Sequence, residues 1–368
     1  LTIIPVAIHG SNAVKIANRD CFLRRTGLLA GVLSLALIAG LPGPADQSAH
    51  ASNAHRPDIE KVSREMPALD LAAAPGPTPS IGDYFRFYGL DFEDVIHHFG
   101  RFRSGKHRIA GHVWVPADPA GTFFLMHGYF DHSGTLNHLI RACLEKGFAV
   151  AVFDLPGHGL SSGKMGCIDD FAEYVAVLND FITLCGRRLP PPFHLAAHST
   201  GCAIAYEYLN HAPRIVFDKI VWLAPLVRNA HWHLSTVGYH LARPFVETLP
   251  GANRRNSSDE NFVEFARHDP LRNNRLCLRF LDALHAWNRK IAHYPVLAKP
   301  VLVIQGTADG IVDWKYNLDF LKSKISHLEV ELIEKANHQL ANESRELRQR
   351  VFERIFDYVE SSDTTGRP

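Results

Sequence analysis

The stretch HLAAHSTGCAIAYEYL, residues 194–209, decides the fold. An apolar, strand-like run ends at His198-Ser199-Thr200-Gly201, and a pattern of helical period starts with no residue between. A serine at such a corner has two readings. It can cap the helix that follows, or it can stand on a tight strand-to-helix turn that exposes its hydroxyl as a nucleophile. The motif-bearing pentapeptide is Ala197-His198-Ser199-Thr200-Gly201, with Ala where a glycine is usual. The neighbouring segments decide between the two readings.

Working outward, HRIAGHVWVP and GTFFLMHG read as strands closed by Pro or Gly. LNHLIRACLEKG is a helix stopped by Gly147, and FAVAVFDLPGHG is a buried strand followed by turn residues. CIDDFAEYVAVLNDFITLCGRRL carries apolar residues at spacings of three and four. PFHLAAHS, IVWLAP, PVLVIQG and LEVELIE are further strands. Between and after them come the helices GCAIAYEYLNHA, WKYNLDFLKSK and ESRELRQRVFERIFDYVES. This alternation predicts an α/β domain over 84–360, a mostly parallel sheet with helices on both faces. It breaks between about Val227 and His293, where an aromatic-rich, mainly helical insertion (227–293) is placed to act as a lid over the strand ends.

A serine hydroxyl needs a base, and the base needs an orienting carboxylate. Asp309 follows the strand PVLVIQG, and His338 follows LEVELIE, so the order Ser199, Asp309, His338 puts three side chains at one rim of the sheet. Asp313 is the rival acid; the GIV that precedes it carries the chain away toward the next helix. An oxyanion needs backbone donors, and the amides of Tyr129 and Thr200, each just past a strand end, are the natural pair. His127 and Asp154 read as turn supports, Cys202 as a small core residue. His231 and His233 lack a third ligand nearby and read as solvated or lid-packing side chains. No metal or organic cofactor is implied.

Composition limits the alternatives. The chain has 368 residues, 46% of them hydrophobic, enough for a sizeable core. Its net charge is +1 with histidine neutral, with no basic stripe, which argues against nucleic acid. Arg24-Arg25 followed by the uncharged run Leu28–Leu41, with Ala49-His50-Ala51 beyond, reads as a signal peptide or membrane anchor over 1–51. That predicts an exported protein, periplasmic or extracellular, or one associated with a membrane through this segment. Residues 52–83, including AAAPGPTPS, read as a Pro/Ala-rich linker. Five cysteines beyond the export segment (Cys143, Cys167, Cys185, Cys202, Cys277) show no regular spacing and read as buried small hydrophobes rather than a disulfide framework; one bridge stays open, with no pair named. Nothing here sets an oligomeric state.

The motifs FLMHGYFDHSG, VFDLPGHGLSSG, AHSTG, HDPL, VLVIQGTADGIVD and NHQLANE resemble the α/β-hydrolase branch of monoglyceride lipases, bacterial lysophospholipases and serine-aminopeptidase-like hydrolases. The resemblance runs from about Tyr84 to Val359. It implies Ser199 as nucleophile, Asp309 as acid, His338 as base, and Tyr129 with Thr200 as the oxyanion hole. It further implies an acyl-enzyme route on a small-molecule or lipid ester, with a monoglyceride or lysophospholipid favoured. Two alternatives stand beside it: a prolyl-aminopeptidase-like peptidase using lid acids such as Asp259, Glu260 or Glu264 to hold an amine, and a non-catalytic binding protein of the same fold.

Overall fold

In a computed structural model, which describes residues 56–251 and 255–361, eight strands form one sheet in the order β1-β2-β4-β3-β5-β6-β9-β10. They are β1 (Val95–Ser104), β2 (His107–Pro116), β3 (Thr122–Met126), β4 (Ala149–Phe153), β5 (Phe193–His198), β6 (Phe217–Leu223), β9 (Val301–Gly306) and β10 (Leu328–Ile333). β1 and β2 run antiparallel at one edge, and the six strands from β4 to β10 are parallel. The export segment read at 1–51 lies outside the described residues.

Strands buried on both faces need continuous apolar runs, and TFFLM and AVAVF supply them with every residue buried. Successive side chains alternate between two cores, one on each face of the sheet. Phe124 packs with Phe153, Phe181, Leu195 and Trp222. Its neighbours Phe123 and Leu125 join Trp114, Val150, Ile355 and Phe356 on the other face. The helices Asn137–Glu145 and Arg345–Glu360 cover this second face, and Phe171–Cys185, Thr200–His211 and Leu278–Ile291 cover the first.

The insertion between β6 and β9 is mainly helical, as its composition suggests, with helices Trp232–Ala242, Glu260–His268 and Leu278–Ile291. It also contains a small antiparallel ladder, β7 (Thr248–Pro250) with β8 (Arg275–Cys277). Its aromatics divide. Phe280 and Trp287 are buried in the main core, Trp287 stacked on Phe171 at 5.0 Å between centroids, whereas Phe245 is 70% exposed. The last helix of the insertion is therefore part of the scaffold.

Two sequence expectations need correction. The stretch 52–83 is not simply a linker: Ile59–Glu65 is a helix capped by Asp58, Pro79 begins the helix Pro79–Tyr88, and Val62, Met66 and Leu69 are buried. A single seven-residue helix carries too few periods to show in the sequence pattern. Its seat is a close backbone approach at Gly100, where a Cβ would come within 2.6–2.7 Å of Ala68 and Leu69 backbone atoms. The second concerns Cys167 and Cys277, which are not small free hydrophobes but form the one bridge the sequence left open, between residues 110 apart; Cys143, Cys185 and Cys202 are free and buried, as small core residues would be.

Gly100→Ala should accordingly destabilise the protein by about 1–3 kcal/mol, because the strand and the Ala68–Leu69 segment must separate to admit the methyl group. Urea unfolding measures this. A change within about 0.5 kcal/mol, the size of an ordinary surface substitution, would show that the segment is not seated there.

Candidate active site

The corner at the end of β5 is built as a strained turn. Ser199 has φ 52° and ψ −112°, a conformation outside the wells that ordinary residues occupy. Its N–H donates to the Leu223 carbonyl at 2.9 Å, while its own carbonyl accepts from Cys202 and Leu226. The helix Thr200–His211 starts on the next residue, and the Ser199 side chain makes no cap hydrogen bond to it. The capping reading of this serine is therefore set aside. Gly201 is required by space: a Cβ there would lie 2.9 Å from the Met126 carbonyl. Ala197, in the usual glycine position, is buried and accommodated, with the Cys202 thiol donating to its carbonyl at 3.0 Å.

Ser199 Oγ donates to His338 Nε2 at 3.0 Å, and His338 Nδ1 donates to Asp309 Oδ2 at 2.8 Å. All three residues are buried. Asp309 is fixed by two backbone donors on Oδ1, Ile311 N–H at 2.8 Å and Val312 N–H at 3.2 Å, and by Gln305 Nε2 on Oδ2 at 3.1 Å. Asp313 instead caps the helix Trp314–Lys324 through the Tyr316 N–H. Asp309, three residues past the end of β9, thus faces His338, while Asp313 lies at the start of the next helix.

Burial opposes charge on His338, but the Asp309 carboxylate beside it, with a smaller contribution from Asp131, raises its pKa above the ordinary 6.5. Burial likewise disfavours the Asp309 anion, and the His338 charge and hydrogen bond outweigh it, leaving that pKa below the ordinary 3.8. The pair thus adds stability above the ordinary carboxylate value and loses it as pH falls through the depressed Asp309 pKa. At the other end, the His338 contribution is complete below 6.5 and is lost as pH rises through its elevated folded value.

Tyr129 and Thr200, the residues expected to supply oxyanion donors, follow closely on the ends of β3 and β5. β3 and β5 are adjacent, with Met126 opposite Ala197. The loop after β3 approaches so closely that a Cβ on Gly128 would sit 3.2 Å from Ser199 Cβ. Thr200 opens its helix, so its amide has no intrahelical acceptor. His127 and Asp154 are supports, as read from the sequence. His127 Nδ1 donates to the Gly128 carbonyl and its Nε2 accepts from Leu155 N–H, with burial the main cause holding its pKa down to about 4. Asp154 accepts from Ser133 and Leu160.

Three residues of the site escape a reading by motif. His198 donates from Nε2 to the His338 carbonyl at 3.1 Å, and its Nδ1 lies 3.3 Å from Asp131 Oδ2. Asp131 also accepts from Gln339 Nε2 at 2.9 Å. Burial works against the Asp131 anion, yet the His198 hydrogen bond and charge hold its pKa well below the usual carboxylate range. These groups tie the loop after β3 to the loop bearing His338. Each lies inside a motif quoted above, FLMHGYFDHSG, AHSTG or NHQLANE, but nothing in those motifs shows that the three meet. The lid acids Asp259, Glu260 and Glu264 are each engaged nearby, in a helix cap, with Arg255, and with Arg267 and His268.

Fold and site together define an α/β-hydrolase, a serine ester hydrolase. Residues 117–345 match the family model described as serine aminopeptidase, S33, and the chain belongs to that family. It is 28% identical over 258 residues to a monoglyceride lipase homolog of monkeypox virus, covering 67% of this chain and 92% of the relative. It is 27% identical over 266 residues to human monoglyceride lipase, covering 69% and 87%. Among solved structures, a soluble variant of the Saccharomyces cerevisiae monoglyceride lipase, in complex with a substrate analog, superposes with a TM-score of 0.63 at 16% identity, covering 77% of this chain and 98% of that one, a likeness of fold.

An NMR titration should place the His338 imidazole midpoint above 6.5. In Asp309→Asn the midpoint should fall, because burial then acts with only the more distant Asp131 charge against it. An unchanged midpoint would show that Asp309 does not set the protonation of His338.

Proposed function

We propose that the protein hydrolyses carboxylic esters of single-chain lipids, a monoglyceride or a lysophospholipid, through an acyl-enzyme on Ser199. The observation that carries the chemistry is the hydrogen-bonded series from Ser199 Oγ through His338 to Asp309. His338 Nε2 takes the Ser199 proton as Oγ attacks the ester carbonyl. Asp309 holds the imidazole in the tautomer that leaves Nε2 free to accept, and stabilises the cation that forms. The developing oxyanion rests on the amides of Tyr129 and Thr200, donors worth roughly 2.7–4 kcal/mol each. His338 then protonates the leaving alcohol, and water, activated by the same base, releases the acid.

The lipid assignment is supported by the surface of the insertion. Leu234, Val237, Leu241 and Phe245 are spaced three to four residues apart from the start of the helix Trp232–Ala242 to just past its end, and each is about half exposed or more. A solvent-facing apolar ridge of this kind suits an amphiphile presented from an aggregate. The names of the relatives point the same way. An exported location is supported by the Cys167–Cys277 bridge, since such bonds persist in oxidising compartments.

The test begins with a fluorophosphonate probe, which should label the native protein and not Ser199→Ala. A series of esters from acetyl to long acyl, with an aminoacyl amide in parallel, then defines the substrate. Long-chain monoesters should be preferred, and a preference for the amide would overturn the ester assignment. Ser199→Ala should lower kcat on the order of 10⁶-fold and Asp309→Asn on the order of 10⁴-fold. Asp313→Asn should leave kcat close to native. Leu241→Ser with Phe245→Ser should reduce turnover of dispersed long-chain substrate while sparing a soluble acetyl ester; equal losses on both would remove the ridge from the account.

A further inference from the structure

The loop that carries the expected oxyanion donor is held from outside by its own side chain. Tyr129 is buried, its ring 4.1 Å from that of Phe280 between centroids. Its hydroxyl donates to the Gly166 carbonyl at 2.8 Å and accepts from the Cys277 N–H at 2.9 Å. Gly166 immediately precedes Cys167, and Cys167 is bridged to Cys277. One phenol thus hydrogen-bonds to both arms of the disulfide. Gly166–Cys167 belongs to the loop after β4, and Cys277 ends β8 at the foot of the last helix of the insertion. Without the bridge, nothing covalent keeps those two backbone groups at the separation that one hydroxyl can span.

We propose that the Tyr129 side chain is a positioning residue for the oxyanion hole and that the Cys167–Cys277 disulfide fixes its position, so that reducing the disulfide lowers turnover. The inference rests on the reading of Ser199 as nucleophile and the Tyr129 amide as oxyanion donor. Cys167 lines an open groove of about 510 Å³, whereas Cys277 is more deeply buried and does not line it, so Cys167 Sγ is the sulfur a reductant reaches; Lys106, Lys164 and Arg279 at this groove are paired with Glu173, Glu247 and Asp169. A dithiol reductant attacks Cys167 Sγ; the S–S bond breaks and Cys277 leaves as a thiolate that takes a proton. The second thiol of the reductant then closes on the mixed disulfide, freeing the Cys167 thiol. Two electrons and two protons pass to the protein, and the reductant departs as a cyclic disulfide.

The experiment compares oxidised and dithiol-treated protein, with free thiols counted, on a soluble acetyl ester that does not depend on the apolar ridge. Reduction should lower kcat about tenfold with KM within twofold, short of the roughly 10²–10³ that loss of a whole oxyanion donor costs. Binding of a boronic acid, which places an oxygen in the same hole, should weaken in proportion to kcat. Tyr129→Phe, which keeps the ring and the amide, should reproduce both effects in the oxidised state, and its reduction should add little. Should that variant not fold, reduction of the native chain and the pair Cys167→Ser with Cys277→Ser carry the test through the same kcat and boronate readouts. Undiminished kcat after complete reduction, a loss confined to KM, or multiplying effects of reduction and Tyr129→Phe would each overturn the latch. Failure of oxidised native protein to hydrolyse the ester or take the fluorophosphonate would instead overturn the underlying reading of the site.

Discussion

At Ser199 the backbone bends through φ 52° and ψ −112°, and the rest of the site depends on that one corner. Such a conformation costs about 1–3 kcal/mol and persists only where the surroundings over-determine it. Here the surroundings are the sheet itself. Ser199 N–H is held by the end of β6, Gly201 lies against the end of β3, and the helix beginning at Thr200 packs its buried face on the sheet. The bend turns the hydroxyl away from capping and toward His338. Relaxing it would restore an ordinary loop serine.

Burial sets the second constraint. Removing Asp309, His338, Asp131 and His198 from water is unfavourable unless each finds a partner, so these groups hold one another. Asp309 is satisfied by two backbone amides, Gln305 and His338. Asp131 is satisfied by Gln339 and faces His198, which in turn donates to the backbone of His338. The histidine proposed as base is therefore gripped twice, at its ring by one carboxylate and at its carbonyl through a second. Pairing that removes the cost of burial also fixes the geometry that the proposed chemistry needs.

Most of the parallel sheet was legible because its strands are short, wholly buried runs such as TFFLM and AVAVF, bounded by Gly or Pro. The strand HRIAGHVWVP and the helix WKYNLDFLKSK coincide with β2 and Trp314–Lys324. β1 escaped notice because VIHHFGRFRS mixes charged and apolar residues, as an edge strand can when one side meets solvent. The helix Ile59–Glu65 escaped because it spans only seven residues and takes its stability from its seat on the domain.

By itself the sequence determined the main alternation of strands and helices from β2 onward and placed Ser199, Asp309 and His338 just beyond the ends of β5, β9 and β10, because strand ends and turns are local properties of the chain. Asp309 rather than Asp313 was also decided locally, by distance from the strand end. Tertiary structure alone decided which cysteines meet, since residues 110 apart in sequence become neighbours only after the insertion folds back on the loop behind β4. It also recruited Asp131, His198 and Gln339 around His338 and placed the Tyr129 hydroxyl between the arms of the disulfide. These are pairings of buried polar groups across the sheet's carboxyl edge, and no periodicity encodes them: each partner is chosen by the need to satisfy a group that packing has already taken out of water.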